Sequence, residues 1–143
     1  MLTQSEADAL IAMRKSFASP IMISLPPGAD QTHELIDTDE RERFLLDSWR
    51  GTIRFSKLKF QTRARRVVVL VRLDIDGAPH TNPDGMGLGG THLHLYREGY
   101  EDRWAYPLDS NRFSDPANIQ QTFEDFCNYC NIGGIPPFQE SLL

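Results

Sequence analysis

Arg66-Val67-Val68-Val69-Leu70-Val71-Arg72-Leu73-Asp74-Ile75 decides the architecture of this chain. In a strand, successive side chains point to opposite faces. Val67, Val69, Val71, Leu73 and Ile75 then share one face, and Arg66, Val68, Leu70, Arg72 and Asp74 share the other. One face is continuously apolar and the other ends in charge. That is the pattern of a sheet packed on a core on one side and open to water on the other. Asp76-Gly77 supplies a turn directly after it.

Downstream, Thr91-His92-Leu93-His94-Leu95-Tyr96 repeats the alternation. Leu93 and Leu95 face the core, and His92, His94 and Tyr96 take the opposite face. The segment between the two strands, 77–90, is rich in glycine and proline and longer than a hairpin requires. Loops of that kind in compact domains are often functional. Upstream, Thr52 to Thr62 reads as a strand with a bulge or bend between Phe55 and Leu58, where the parity of its apolar positions shifts. Arg43 to Trp49, Glu34 to Ile36, Ile21 to Leu25 and Arg103 to Leu108 complete the expected strands.

The ends are helical. Thr3 and Glu6 have capping-box spacing, which predicts a helix from Thr3 to about Phe17. Ser114, Asp115 and Pro116 predict the start of a second helix, with Ile119, Phe123, Phe126, Cys127 and Cys130 on one face. Gly133-Gly134 and Pro136-Pro137 stop it. Helix, antiparallel-compatible strands, helix: the order predicts one α+β domain over residues 1–143, a twisted antiparallel sheet with both helices on one face. Arg72, His92, His94 and Tyr96 fall on the other.

The totals narrow the function classes. The net charge of −5 disfavours a broad nucleic-acid-binding surface. Within it, however, Arg54, Lys57, Lys59, Arg63, Arg65 and Arg66 form a stretch free of acidic residues. No apolar run suits a membrane span, and the acidic, polar N-terminus does not read as a secretory signal, so the expectation is a cytoplasmic protein. Cys127-Asn128-Tyr129-Cys130 lies at a helix C-terminus, where the dipole disfavours a thiolate, and continues an apolar stripe. Core packing is its reading. The glycines of 85–90 precede a strand and lack a following Gly-Lys-Ser/Thr, so they form no nucleotide loop. They suit a lid that orders on binding.

The chemistry concentrates on His80, His92, His94 and Arg72. Imidazoles beside an arginine suit general acid–base work on a phosphodiester, and need no cofactor or metal. His92 and His94 are the expected acid–base pair, with His80 assisting from the loop and Arg72 stabilising phosphoryl charge. Tyr96 would stack on an RNA base, and Lys57, Lys59, Arg63 and Arg65 would hold the backbone. Two other readings use the same chain. One is a non-catalytic module that binds a protein partner through its acidic surface or polar sheet face. The other is a metalloprotein using His92, His94 and Glu98. That triplet looks like half of a cupin motif, but Met86 replaces the expected glycine and no second motif follows.

The runs 72–85, 92–100 and 103–108 resemble an uncharacterised bacterial family of prophages and genomic islands. Arg72, Asp74, Pro79-His80, and His92 with His94 also resemble the motif of TumE-type toxins of toxin–antitoxin pairs. That resemblance implies a toxin-like ribonuclease with an antitoxin as partner. The longer glycine-rich loop and fewer histidines depart from the toxin pattern.

Overall fold

A computed structural model describes residues 1–139. Its elements are helix α1 (Gln4–Ala12), strands β1 (Lys15–Phe17), β2 (Ile23–Ser24), β3 (Asp30–Asp37), β4 (Arg43–Arg50), β5 (Leu58–Ala64), β6 (Val68–Ile75), β7 (His80–Thr81), β8 (Gly87–Leu88), β9 (His92–Leu95) and β10 (Ala105–Tyr106), helix α2 (Ile119–Tyr129) and strand β11 (Phe138–Gln139). Seven strands form one antiparallel sheet in the order β1-β3-β4-β5-β6-β9-β10. The protein is α+β, with helices at both ends of the chain and a large antiparallel sheet between them.

From Val71 onward the sheet buries the face that alternation assigns to it, while Leu70, expected on the opposite face, joins the core beside the register shift and Val69 is only half-buried. Leu46, Phe60, Val71 and Leu73 are fully buried. Phe60 meets Phe123 and Phe126 of α2, with ring centroids 5.6 and 5.8 Å apart. Ala7 and Leu10 of α1 join the same core. Cys127 and Cys130 are buried free thiols within it, as the apolar stripe requires.

Several boundaries move, each for a local reason. The capping box of Thr3 and Glu6 forms, but α1 stops at Ala12. Lys15 to Phe17, expected as helix, instead pairs with β3 as an edge strand. The second helix starts at the Asn118 cap, whose side chain accepts from the Gln121 amide. Ser114 to Ala117 form the turn before it. β5 begins at Leu58 and not at Thr52, because residues 51–57 close on themselves. A side chain on Gly51 would lie 2.3 Å from the Arg54 carbonyl oxygen. The register shift falls at Thr62/Arg63 instead of between Phe55 and Leu58. Val67, expected on the core face, sits in the β5–β6 turn and is 80% exposed. The loop 77–90 carries a hairpin of its own, β7 with β8.

No helix among the described residues is long and apolar enough to cross a membrane.

Candidate functional site

Two cross-strand rows build the polar face. Trp49, Lys59, Asp74 and His92 are successive partners across β4, β5, β6 and β9. Asp47, Gln61, Arg72 and His94 form the neighbouring row. Side chains directly opposite in adjacent strands lie close enough to interact. Arg72 and Asp74, two apart on β6, therefore meet His94 and His92, two apart on β9.

The two imidazoles are buried, each 1% exposed. His92 Nδ1 donates to the Gly89 carbonyl oxygen at 2.6 Å, and His94 Nδ1 donates to that of Asp102 at 2.8 Å. A carbonyl can only accept, so both rings carry a proton on Nδ1 and direct Nε2 inward. His92 Nε2 lies 3.2 Å and His94 Nε2 3.3 Å from Asp74 Oδ2. Arg72 donates to His94 Nε2 at 3.0 Å and to Asp102 Oδ2 at 2.9 Å. Burial pushes the Asp74 carboxyl up, but the neighbouring Arg72, His94 and His92 outweigh it. The net displacement is downward.

His80 completes the cluster from the loop. Its ring centroid lies 4.7 Å from that of His94 and 5.6 Å from that of His92. Its Nε2 donates to the Arg103 carbonyl oxygen at 2.9 Å. The loop is anchored by Asn82, whose amide donates to the Ala105 carbonyl oxygen and accepts from the Ala105 amide, at 2.9 and 2.8 Å. Expected as a lid, the segment is tied to β10 by a buried side chain.

The cluster floors a cleft of about 250 Å³ whose rim includes Trp49, Lys57, Lys59 and Pro79. Lys57 and Lys59 hold their ammonium groups 5.5 and 5.8 Å from the Trp49 ring centroid. Of the expected backbone-binding residues, these two alone line the cleft. Arg63 forks onto Asp47 at 2.6 and 2.8 Å, and Arg65 approaches Glu42 at 3.7 Å. The apparent basic stripe is thus partly neutralised by carboxylates from a neighbouring strand and turn. Tyr96 lies elsewhere too. It is 3% exposed, and its hydroxyl donates to the Leu2 carbonyl oxygen at 2.6 Å. The chain leaves β9 at Leu95, so parity no longer places it. Glu98 does not join the histidines. Its carboxylate accepts from the Gln4 amide at the start of α1, 2.7 Å away.

The carboxylate that does converge is Asp74, whose oxygen lies with His92 and His94 nitrogens in a set no more than 4.8 Å across. Its position two residues after Arg72 on one strand face was the available signal. Asp102 and Trp49 had none, since their places depend on a loop and on register across four strands.

An α+β fold with a histidine–aspartate–arginine cluster on its polar sheet face is the class defined by this geometry. The chain belongs to the family of unknown function DUF6978, which matches residues 2–132. Nothing in that match links it to TumE-type toxins or to prophages. No curated protein matches the chain, and no solved structure does.

Proposed function

We propose that the cleft binds the phosphodiester backbone of RNA and cleaves it, in the manner of a toxin-like ribonuclease. The observation that carries this reading is the gathering of His80, His92, His94 and Arg72 beneath a rim of two lysines and a tryptophan. Lys57 and Lys59 would attract phosphate, and Trp49 offers a face on which a base stacks. His80 is the proton carrier at the mouth, because its ring is only half buried and its Nδ1 has no hydrogen bond among the described residues. Arg72 faces the charge that develops on the phosphoryl oxygens. In the reaction, His80 Nδ1 takes the proton of a ribose 2′-hydroxyl, whose oxygen attacks the adjacent phosphorus. The bond to the 5′ oxygen breaks, and His80 then returns that proton to the leaving 5′ oxygen.

A non-catalytic binding module is the second reading, and one observation favours it. Both nitrogens of His92 and of His94 already face protein partners. Such rings can serve to shape a surface that a protein partner recognises.

Controlled induction in bacteria, with wild type and His92→Ala/His94→Ala at matched soluble levels, separates the two. Growth arrest and RNA degradation by wild type alone support cleavage. Cleavage that persists in the double variant, or wild-type protein that leaves RNA intact in vitro, sinks it.

A further inference from the structure

We infer that Asp74, His92 and His94 form a binding site for a first-row divalent transition-metal ion. The inference goes beyond the RNA reading and is tested without RNA. It stands beside the metal-free chemistry expected from the sequence, and it takes Asp74 as the carboxylate where the sequence offered Glu98.

The argument begins with the tautomers. Gly89 and Asp102 carbonyls fix the proton of each imidazole on Nδ1. In the neutral rings both Nε2 atoms are therefore lone pairs, and both face one carboxylate oxygen. Three electron-rich atoms directed at a common region repel one another unless a cation lies among them, and Arg72, 3.0 Å from His94 Nε2 and 3.6 Å from Asp74 Oδ1, meets them from one side only. A histidine whose other nitrogen donates to a backbone carbonyl is the usual form of a metal-ligating histidine, because that bond sets ring orientation and raises basicity. Two histidines and one carboxylate match the donor preference of zinc, iron, cobalt or nickel, and not the all-oxygen preference of magnesium or calcium.

The carboxylate–imidazole distances agree. Metal–nitrogen and metal–oxygen bonds of about 2.0–2.2 Å place neighbouring ligand atoms roughly 3.0–3.5 Å apart. The Nε2 to Oδ2 separations are 3.2 and 3.3 Å, while the whole ligand set spans up to 4.8 Å, so the two imidazoles must draw together around an ion. The ligands also sit on a rigid base, since β6 and β9 pair Asp74 directly with His92 and Arg72 with His94. Asp74 Oδ1 is buried and has no hydrogen-bond partner among the described residues, though the Arg72 guanidinium lies 3.6 Å from it, so a second carboxylate oxygen can turn toward an ion if Arg72 yields. Arg72 is the competing group. Its guanidinium donates to His94 Nε2 and must yield that contact while keeping Asp102.

The test is a titration of chelator-stripped full-length protein with Co2+ and Zn2+, with Mg2+ as the control, by calorimetry and by the visible absorption of Co2+. The expected result is one Co2+ or Zn2+ per chain with a dissociation constant below about 10 µM, and no heat from Mg2+. Asp74→Asn, nearly isosteric, weakens binding at least tenfold, and Glu98→Gln leaves it unchanged. A second measurement on wild type needs no variant: Co2+ broadens the ring resonances of His92 and His94 before those of His33, which meets Phe17 edge to face toward the other edge of the sheet. Wild-type protein that binds neither ion at 100 µM, or Co2+ that broadens His33 first, overturns the inference. Metal binding without RNA cleavage leaves the site standing and removes the ribonuclease. RNA cleavage without metal binding does the reverse.

Discussion

Asn82 has no charge and no reactive atom, yet it fixes the loop that presents His80. Its side-chain amide pairs with both backbone groups of Ala105 and is 4% exposed. Removing it leaves a buried N–H and a buried carbonyl without partners, each worth about 1–3 kcal/mol. Asn82→Ala is therefore expected to destabilise the fold by roughly 2–3 kcal/mol. The specific sign is faster hydrogen exchange of the Ala105 amide, together with loss of order around His80. An unfolding midpoint and an Ala105 exchange rate equal to wild type would refute the anchor. At this scale the sequence showed the chemistry better than its supports. His92, His94 and Arg72 were visible because they shared one strand face, and His80 because it lies within fifteen residues of the other two histidines. Asn82, Asp102 and the Gly89 carbonyl were not, because they act through backbone groups that only the folded loop brings near. Tyr96 shows how far parity reaches: it holds while the strand lasts and fails one residue beyond Leu95.

Among the elements, the β5–β6 hairpin joins the strand that bears Lys59 to the strand that bears Arg72 and Asp74, and it does so under strain. Arg65 and Arg66 both adopt positive φ, 50° and 70°. That region costs a residue with a Cβ about 1 kcal/mol or more, and glycine enters it freely. Among the described residues the Arg66 side chain makes no ion pair, and its role in the turn is a carbonyl that accepts from Arg63. Arg66→Gly keeps that carbonyl and is expected to stabilise the protein by about 0.5–1 kcal/mol, read from chemical denaturation. A destabilised variant would mean the arginine side chain holds the turn. This hairpin also shows what alternation conveys. The two long strands were legible because Val71, Leu73 and Ile75 face the core while Arg72 and Asp74 face the cleft. The turn was not, since nothing in Arg65-Arg66 marks left-handed backbone as an Asn-Gly pair would. Short strands such as Lys15–Phe17 were equally hidden. An edge strand of three residues has no period to read, and it exists because β3 offers it a partner.

Across the whole molecule, one buried cation joins the two helices to the sheet, and it makes stability depend on pH. Lys15, 1% exposed, donates from Nζ to the carbonyl oxygens of Ile11, Met13 and Cys130, at 2.9, 2.8 and 2.9 Å. These are carbonyls at the C-terminal ends of α1 and α2, where helix dipoles favour positive charge. Burial nevertheless pushes its ammonium down to about 8, from an ordinary 10.5. The unfolded chain therefore holds this proton more tightly than the folded one. Stability from this group rises as pH increases from about 8 toward 10.5. The thiols oppose it. Burial pushes Cys127 up and Cys130 up to about 12, so above their ordinary 9.0 the unfolded thiols ionise while the folded ones do not. Stability from the thiols is complete below about pH 9 and falls beyond it. Wild type is thus expected to gain up to about 1 kcal/mol between pH 8 and 9, then to lose stability, with a maximum near pH 9. Lys15→Met removes the rise and keeps the fall. It also lowers stability at pH 7 by about 2–3 kcal/mol, because three carbonyls lose their donor. Denaturation curves of both proteins from pH 7 to 10.5 provide the comparison. A parallel offset at every pH would show that Lys15 stays charged throughout, and that its tie between the helices is independent of pH.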